Sequence, residues 1–437
     1  MSDSKSYSED AVAAYVNQAS QQAWEVPGLA ANTEPRPINK VGIIGAGTMG
    51  GGISMNFATA GYPVTIVETQ QEALDRGLGI VRANYQRSAD KGRFAPEEVE
   101  IRMNRYAGSL DKKDLAECDL VIEAVFENME LKKTIFTELD AIMKPGAILA
   151  TNTSALNIDE IASVTKRPQD VIGLHFFSPA NVMKLLEIVR ADHTADDVVA
   201  TSMALAKKIE KIAVLAGVTP GFIGNRILRA RQVQAMKLVY KGLMPWDVDA
   251  AINKFGFKMG PFQMSDLAGL DIGWSKGAKT QNPVRDALCE MDRRGQKTKA
   301  GFYDYDENRQ PIPSDVTAKV IKDITGAESS SMDEQEIVET CIYPMINEAV
   351  KILEENKAQR PSDIDVVWLN GYGWPRDKGG PMYYGDMVGA KTILARMEKL
   401  AADDAEFAPA ATLKKLAADG GSLVELELGG LKTAASR

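Results

Sequence analysis

The stretch from Val41 to Glu68 constrains this chain more than any other. Val41-Gly-Ile-Ile-Gly45 is an apolar run closing on glycine, Ala-Gly-Thr-Met-Gly50 follows directly, a helical pattern continues to Ala60, and Val64-Thr-Ile-Val67 ends on Glu68. Strand, turn, helix and strand in that order make a βαβ unit, which needs a parallel sheet around it. Gly45 permits the tight turn, Gly47 lets a pyrophosphate approach the backbone where the helix begins, and Gly50 lets helix and strand pack closely. Glu68 stands 18 residues past Gly50, where a carboxylate accepts both ribose hydroxyls and repels a 2′-phosphate. Nothing basic follows it before Arg76, so the pattern favours NAD over NADP. Glycines at this spacing also occur in ordinary turns; the strand before, the helix after and the acidic end make this a dinucleotide site.

Further apolar runs at 120–125, 147–151 and 171–177 alternate with helical stretches, which predicts a mostly parallel sheet covered on both faces. After 211–217 the strand signals stop and the chain reads as largely helical. That remainder contains a repeat. Asp249, Gly260-Pro261, Asp266 and Gly269 recur as Asp365, Gly380-Pro381, Asp386 and Gly389, with a four-residue insertion in the second copy. Between the copies, 297–331 is rich in Pro, Ser, Asp and Gly and carries Gly301-Phe-Tyr-Asp-Tyr305. The first 37 residues stand apart; Ser6 and Glu9 can form a capping box, and Val12, Tyr15, Val16, Ala19 and Ala23 share a helical face that can dock on the body. The expected organisation is an appendage at 1–37, an α/β domain at 38–217, a helical domain at 218–305, a linker at 306–331 and a second helical domain at 332–437.

Composition excludes several classes. With 51 Lys+Arg against 60 Asp+Glu, the net charge of −9 argues against a general nucleic-acid binder. No apolar stretch reaches membrane length, so no membrane partner is expected. Cys118, Cys289 and Cys341 lie far apart and form neither a disulfide framework nor a CxxC site. No export segment is visible and the chain ends on Ala-Ser-Arg rather than Ser-Lys-Leu, which reads as cytoplasmic. Only 2 His occur, His175 and His193, the latter in a charged run, so no metal centre is expected.

His175 sits in the apolar run Gly173-Leu-His-Phe-Phe177. Ser178-Pro-Ala-Asn-Val182 is turn-rich, and the next apolar run carries Glu187. A hairpin centred on Asn181 places His175 opposite Glu187, with Cβ atoms about 5 Å apart. A buried carboxylate on one imidazole nitrogen fixes the tautomer and raises the basicity of the other, as a general base requires. The same pairing also serves as a structural hydrogen bond across the hairpin. Thr151-Asn-Thr-Ser154 follows a strand at the edge where doubly wound sheets bind ligands, and Asn225 falls in the first turn of a helix starting near Gly221.

At this point the chain resembles the 3-hydroxyacyl-CoA dehydrogenase family, through Val41 to Gly50, Ala150-Thr-Asn-Thr-Ser154, Gly173-Leu-His-Phe-Phe-Ser-Pro179, Val182-Met-Lys-Leu-Leu-Glu187 and Pro220-Gly-Phe-Ile-Gly-Asn-Arg226, over roughly residues 38–430. The resemblance implies a Rossmann-type NAD-binding domain followed by two tandem all-α domains like those of 6-phosphogluconate dehydrogenase. It implies His175 as base, Glu187 as its partner, and Ser154 and Asn225 as groups that position substrate. It also assigns Glu127, Lys132 and Asn152 to the cofactor site, which with Gly45, Gly47, Thr48, Met49, Gly50, Glu68 and Ala124 completes the expected NAD set. Gly371-Tyr-Gly-Trp-Pro375 and Gly379-Gly-Pro-Met382 look like the dehydrogenase half of bifunctional enoyl-CoA hydratase/3-hydroxyacyl-CoA dehydrogenase proteins, and the hydratase half is not expected here. Two departures stand out: Ser178 replaces an Asn common in short members, and Lys299 replaces the Gly of a Lys-Thr-Gly segment.

The implied reaction is oxidation of (S)-3-hydroxyacyl-CoA to 3-oxoacyl-CoA. Arg82, Arg87, Lys91 and Arg93, on and just after the helix that follows the second strand, are candidates for the coenzyme A phosphates, and equally a solvated charged face. Two helical copies in one chain imply a monomer with an internal pseudo-dimer, a homodimer being the alternative. Competing readings are a dehydrogenase of a free hydroxy acid or carnitine-like substrate, and a non-catalytic NAD-binding protein.

Overall fold

The computed structural model describes residues 7–30 and 32–431. Its eight-stranded sheet runs β3-β2-β1-β4-β5-β6-β7-β8. The strands are β1 (Val41–Ile44), β2 (Val64–Val67), β3 (Tyr106–Ser109), β4 (Leu120–Glu123), β5 (Ile148–Thr151), β6 (Val171–Phe176), β7 (Leu185–Arg190) and β8 (Ile212–Gly217). Neighbours from β3 through β6 pair in parallel, β7 turns back antiparallel to β6, and β8 runs parallel to β7. The strand order reverses between β1 and β4, so a crevice opens beyond the carboxyl ends of those two strands. Ile43, Ile66, Ile122, Ile172 and Ile188 are fully buried in the sheet, and Ile53 and Phe57 of α2 (Thr48–Thr59) join the same core. Each such side chain contributes about 2 kcal/mol by leaving water. β3 lacks an apolar run, and its Tyr-Ala-Gly-Ser sequence explains why periodicity gives no sign of this partly exposed edge strand.

Contacts divide the chain into two compact units. One comprises Met1–Arg226, Ile352–Tyr372 and Val424–Arg437; the other comprises Ile227–Lys351 and Gly373–Leu423. A segment expected within the second helical domain therefore groups with the sheet. In the first unit α1 (Glu9–Gln22) buries Val12, Val16 and Ala19. It packs along the helix Pro361–Gly371, where the Tyr15 hydroxyl donates to Asp365 Oδ2 (2.6 Å) and Ser362 donates to Gln22 Oε1 (3.3 Å). Ser8 caps α1 by accepting from Ala11 N–H; the expected cap, Ser6, lies outside the described residues. Arg36 fastens the exit of this segment through Asp170 and Asp197 (both 2.7 Å).

The second unit is mainly helical. In the first copy of the repeat, Pro261 occupies the opening turn of the helix Pro261–Ala268, where its missing N–H costs nothing. Asp249 accepts from the N–H groups of Phe262 (3.0 Å) and Gln263 (2.9 Å) and from the Tyr303 hydroxyl (2.9 Å). Asp266 accepts from Phe302 and Tyr303 N–H and from the Tyr305 hydroxyl. Burial outweighs these bonds and lifts Asp249 to about 7 and Asp266 to about 6. Strand structure does not end at β8: β9 (Tyr303–Tyr305) and β10 (Pro311–Pro313) form an antiparallel pair too short for a periodic signal. Lys299, standing where the family has glycine, holds a left-handed conformation (φ +58°), which explains the glycine.

Candidate active site

The first turn of the site is built by glycines with three different constraints. Gly45 has φ +100°, and a Cβ there would lie 2.7 Å from the Ala124 carbonyl oxygen. At Gly50 it would lie 1.9 Å from the Gly45 carbonyl, so only glycine lets α2 start this close to β1. At Gly47 a Cβ would meet nothing within 4 Å; that backbone faces open space at the N-terminus of α2. Thr48 and Met49 form the opening turn of α2. Glu68, just past β2, accepts from Ala46 N–H (3.0 Å) and from Thr69 N–H (2.7 Å). Partial burial pushes its carboxyl up, but these bonds prevail and hold it below the ordinary range. An ionised carboxylate, an open glycine backbone and a helix N-terminus fit the ribose and pyrophosphate of a dinucleotide.

Beyond β4 and β5 lies an ionic network built on the buried Lys132 and Glu123. Lys132 donates to Glu123 Oε1 (2.7 Å), and the Thr151 hydroxyl donates to Glu123 Oε2 (2.7 Å). Lys132 also lies 3.4 Å from Glu127 Oε2. Glu127 Oε1 accepts from the Thr153 hydroxyl (2.6 Å), Ser154 N–H (2.8 Å) and the Ser154 hydroxyl (3.2 Å). Burial acts to raise Glu127, yet the Thr153 hydrogen bond, Lys132 and Ser154 together leave it lowered. Asn152 turns its Oδ1 to Phe176 N–H (2.8 Å), tying the end of β5 to the strand that carries His175.

The β6–β7 register sets His175 opposite Glu187, as the hairpin spacing predicts. His175 Nδ1 and Glu187 Oε2 are 2.7 Å apart and both side chains are buried. Glu187 Oε1 accepts from Ile223 N–H (3.2 Å) and Gly224 N–H (2.9 Å). Those amides point inward because Gly221 (φ +79°) and Phe222 (φ +50°) turn the chain sharply, so the helix starts at Gly224 rather than near Gly221. Phe177 and Phe222 flank the imidazole, with ring centroids 4.3 and 5.6 Å away. Asn225, in the first turn of that helix, accepts at Oδ1 from the Tyr372 hydroxyl (2.8 Å). The hairpin loop is fixed by Lys211 Nζ, which donates to the carbonyls of Ala180 and Met183 (both 2.7 Å), and by Asn56, which also reaches Ala180 (3.1 Å). Burial brings Lys211 down to about 8.

The structure thus lines the carboxyl ends of β1, β4, β5 and β6 with Gly45, Ala124, Asn152 and His175. It treats the basic set differently. Arg82 is ion-paired with Glu100 of the helix Glu97–Met103, while Arg87, Lys91 and Arg93 are exposed. Sequence reasoning missed Glu123, Thr151 as a donor, Thr153 and Tyr372. Glu123 closes the apolar run Leu120-Val-Ile with Lys132 nine residues on, and Tyr372 stands in the Gly371-Tyr-Gly-Trp-Pro375 segment, but no local pattern pairs Glu123 with Thr151 or Tyr372 with Asn225. Among the described residues no helix is long and apolar enough to cross a membrane, and no cluster of three His, Cys, Asp or Glu could hold a metal ion. The three cysteines are free and buried.

Residues 40–219 match the family model of the 3-hydroxyacyl-CoA dehydrogenase NAD binding domain, and the model of the same family's C-terminal domain matches twice, at 221–305 and 337–424. The peroxisomal bifunctional enzyme of Cavia porcellus is 42% identical over 438 residues, which cover 93% of this chain and 60% of that protein. The chain spans about 60% of the length of such curated relatives. Among solved structures, 3-hydroxybutyryl-CoA dehydrogenase from Escherichia coli superposes with a TM-score of 0.75 at 27% identity, covering 88% of this chain and 99% of that one. The dehydrogenase part of multifunctional enzyme 1 from C. elegans gives 0.66 at 30%, covering 92% and 96%. The expectation of a cytoplasmic protein is overturned by these relatives, since the animal ones are named peroxisomal and the plant ones peroxisomal or glyoxysomal fatty acid beta-oxidation proteins. A missing Ser-Lys-Leu was too weak a ground for that expectation.

Proposed function

The chain belongs to the 3-hydroxyacyl-CoA dehydrogenase family, and from that premise we propose that it oxidises the C3 hydroxyl of (S)-3-hydroxyacyl-CoA to the 3-oxo thioester, with His175 as general base and Glu187 as its partner. The observation that carries this reading is the buried His175–Glu187 pair, 2.7 Å apart, with the second carboxylate oxygen held by two backbone amides. NAD, held by the Gly45–Gly50 turn and Glu68, supplies the hydride acceptor. His175 gives its Nδ1 proton to the hydrogen bond with Glu187, which leaves Nε2 as the base for the hydroxyl proton. Glu187 then stabilises the imidazolium, and the amides of Ile223 and Gly224 keep the carboxylate from turning away. Ser154, whose hydroxyl makes only a long contact with Glu127 (3.2 Å), is free to turn its O–H to a substrate oxygen, and Asn225 offers its amide hydrogens. The named beta-oxidation relatives support a fatty acyl thioester as the substrate class. Arg82, Arg87, Lys91 and Arg93 are all exposed and are the basic groups proposed for the coenzyme A phosphates, Arg82 sharing its surface position with Glu100.

The test is NADH consumption on adding acetoacetyl-CoA, set against free acetoacetate. Consumption with the thioester alone is expected. Equal rates with the free acid would remove the thioester from the reading, and no consumption with either would remove the reading itself. Glu68→Ala should relax the preference for NAD, and an unchanged NAD to NADP efficiency ratio would take Glu68 out of the ribose site.

A further inference from the structure

We propose that Tyr372 is a positioning residue that sets the side-chain amide of Asn225 for the substrate oxygen, a step that rests on the role given to Asn225 above. Tyr372 lies 147 residues beyond Asn225, just past the helix Pro361–Gly371, yet its hydroxyl is 2.8 Å from Asn225 Oδ1. Its ring is pinned on three sides. Trp368 stacks on it with centroids 4.5 Å apart, Phe177 meets it edge-on at 5.5 Å, and a Cβ at Gly224 would come within 2.3 Å of its ring. Phe177 in turn lies 4.3 Å from the His175 ring, so one aromatic side chain separates the phenol from the imidazole.

The direction of the bond follows from burial. Burial first, and the Glu187 carboxylate second, push the phenol well above its ordinary range, so it keeps its proton and acts as a donor. Were the amide of Asn225 reversed, its N–H would point at the phenol oxygen and the phenol proton would be left buried with nothing to accept it, at a cost that disfavours this arrangement. With Oδ1 on Tyr372, both amide hydrogens of Asn225 face away from the phenol, the orientation that donation to a developing carbonyl oxygen needs.

The repeat shows that this hydroxyl belongs to one copy only. Phe255-Gly-Phe257 in the first copy answers to Tyr372-Gly-Trp374 in the second, and Gly256 and Gly373 both hold positive φ (129° and 67°). The first copy therefore has the same turn with a ring that carries no hydroxyl.

The experiment uses the full chain with NAD and 3-hydroxybutyryl-CoA. Tyr372→Phe keeps the packed ring and removes one hydrogen bond, so kcat should fall about tenfold. KM for the thioester and the Kd for NADH should stay within about twofold, because neither needs the amide to be oriented. Acting through Asn225, Tyr372→Phe should add nothing to Asn225→Ala: the double variant should match Asn225→Ala alone. Asn225→Gln, which keeps the amide but carries it off the phenol without touching the packed ring, should show the same loss in kcat and the same indifference to Tyr372→Phe. A slow Asn225→Ala beside a normal Tyr372→Phe, or losses that multiply, would overturn the role of Tyr372. Asn225→Ala at wild-type kcat would overturn the reading of Asn225 and this proposal with it.

Discussion

Glu187 and Asp249 are held in the same way in different parts of the molecule. Each is a buried carboxylate that accepts from two consecutive backbone N–H groups where a helix begins, Ile223 and Gly224 for one, Phe262 and Gln263 for the other. Each takes one further donor from a side chain. For Glu187 that donor is the imidazole of His175 at 2.7 Å, and for Asp249 it is the phenol of Tyr303 at 2.9 Å. The difference lies in what the donor keeps. An imidazole that gives one nitrogen to a carboxylate has a second nitrogen left to accept a proton, whereas a phenol with its one proton committed has no further proton to give. The same carboxylate cradle thus leaves an imidazole nitrogen uncommitted in one place and ties down a helix start in the other.

The largest effect that can break this comparison is on turnover. His175→Ala removes the proton acceptor while leaving the glycine turn untouched, so kcat should fall about 100 to 10,000-fold with NADH binding retained. A variant within a few-fold of wild type would reduce His175–Glu187 to a structural tie like that of Tyr303 with Asp249. Glu187→Gln comes next, with a loss of about 10 to 100-fold, since an amide does not balance the imidazolium charge. Combined with His175→Ala it should add nothing, and multiplied losses would mean that the carboxylate has a role of its own.

The helical counterpart should respond in stability instead. Tyr303→Phe leaves the buried Asp249 carboxyl one donor short and should cost about 1 to 3 kcal/mol in unfolding free energy, with kcat unchanged. A fall in kcat without a fall in stability would contradict the division between the two sites. A further effect is on pH. Burial lifts Asp249 from the unfolded carboxyl near 4 to about 7, so the folded chain holds this proton more tightly. Its contribution is fully present below about pH 4 and is lost as pH rises through 7. Asp266, lifted to about 6, acts in the same direction, so Asp249→Asn should flatten only part of that slope. Urea midpoints at pH 5 and pH 8 measure it, and parallel lines for the two proteins would leave Asp249 outside the pH response.

What could be read in the sequence follows distance along the chain. The glycine turn lies within one βαβ unit, and the His175–Glu187 contact spans a hairpin whose period of two fixes who faces whom. The apolar strand runs likewise announce themselves through burial on both faces. Contacts closed by folding over a long span gave no local pattern. Nothing near Asn225 marks Tyr372, and nothing near Asp365 marks Tyr15, 350 residues away. Glu123 and Lys132 lie close in sequence, but their pairing depends on Thr151 from the neighbouring strand, and an acid at a strand end reads equally well as a solvated terminus. Edge strand β3 and the β9–β10 pair were hidden because short, partly exposed strands need little apolar sequence.

The chain leaves its α/β unit after Arg226, returns for Ile352–Tyr372, leaves again at Gly373 and comes back at Val424. This interleaving bears on the order in which a ribosome can complete the molecule. The His175–Glu187 hairpin has all its parts as soon as β7 has been made, and its amide cradle follows once Gly224 emerges. Tyr372 emerges 147 residues after Asn225, which at translation speeds of about 5 to 20 residues per second is a wait of roughly 7 to 30 s. Helix α1, made before the sheet, waits longer still for Asp365. The nascent chain therefore holds both residues of the dyad before it has the segments that finish the unit around it, and in that interval α1 and the Asn225 turn lack the partners that cover them in the finished fold.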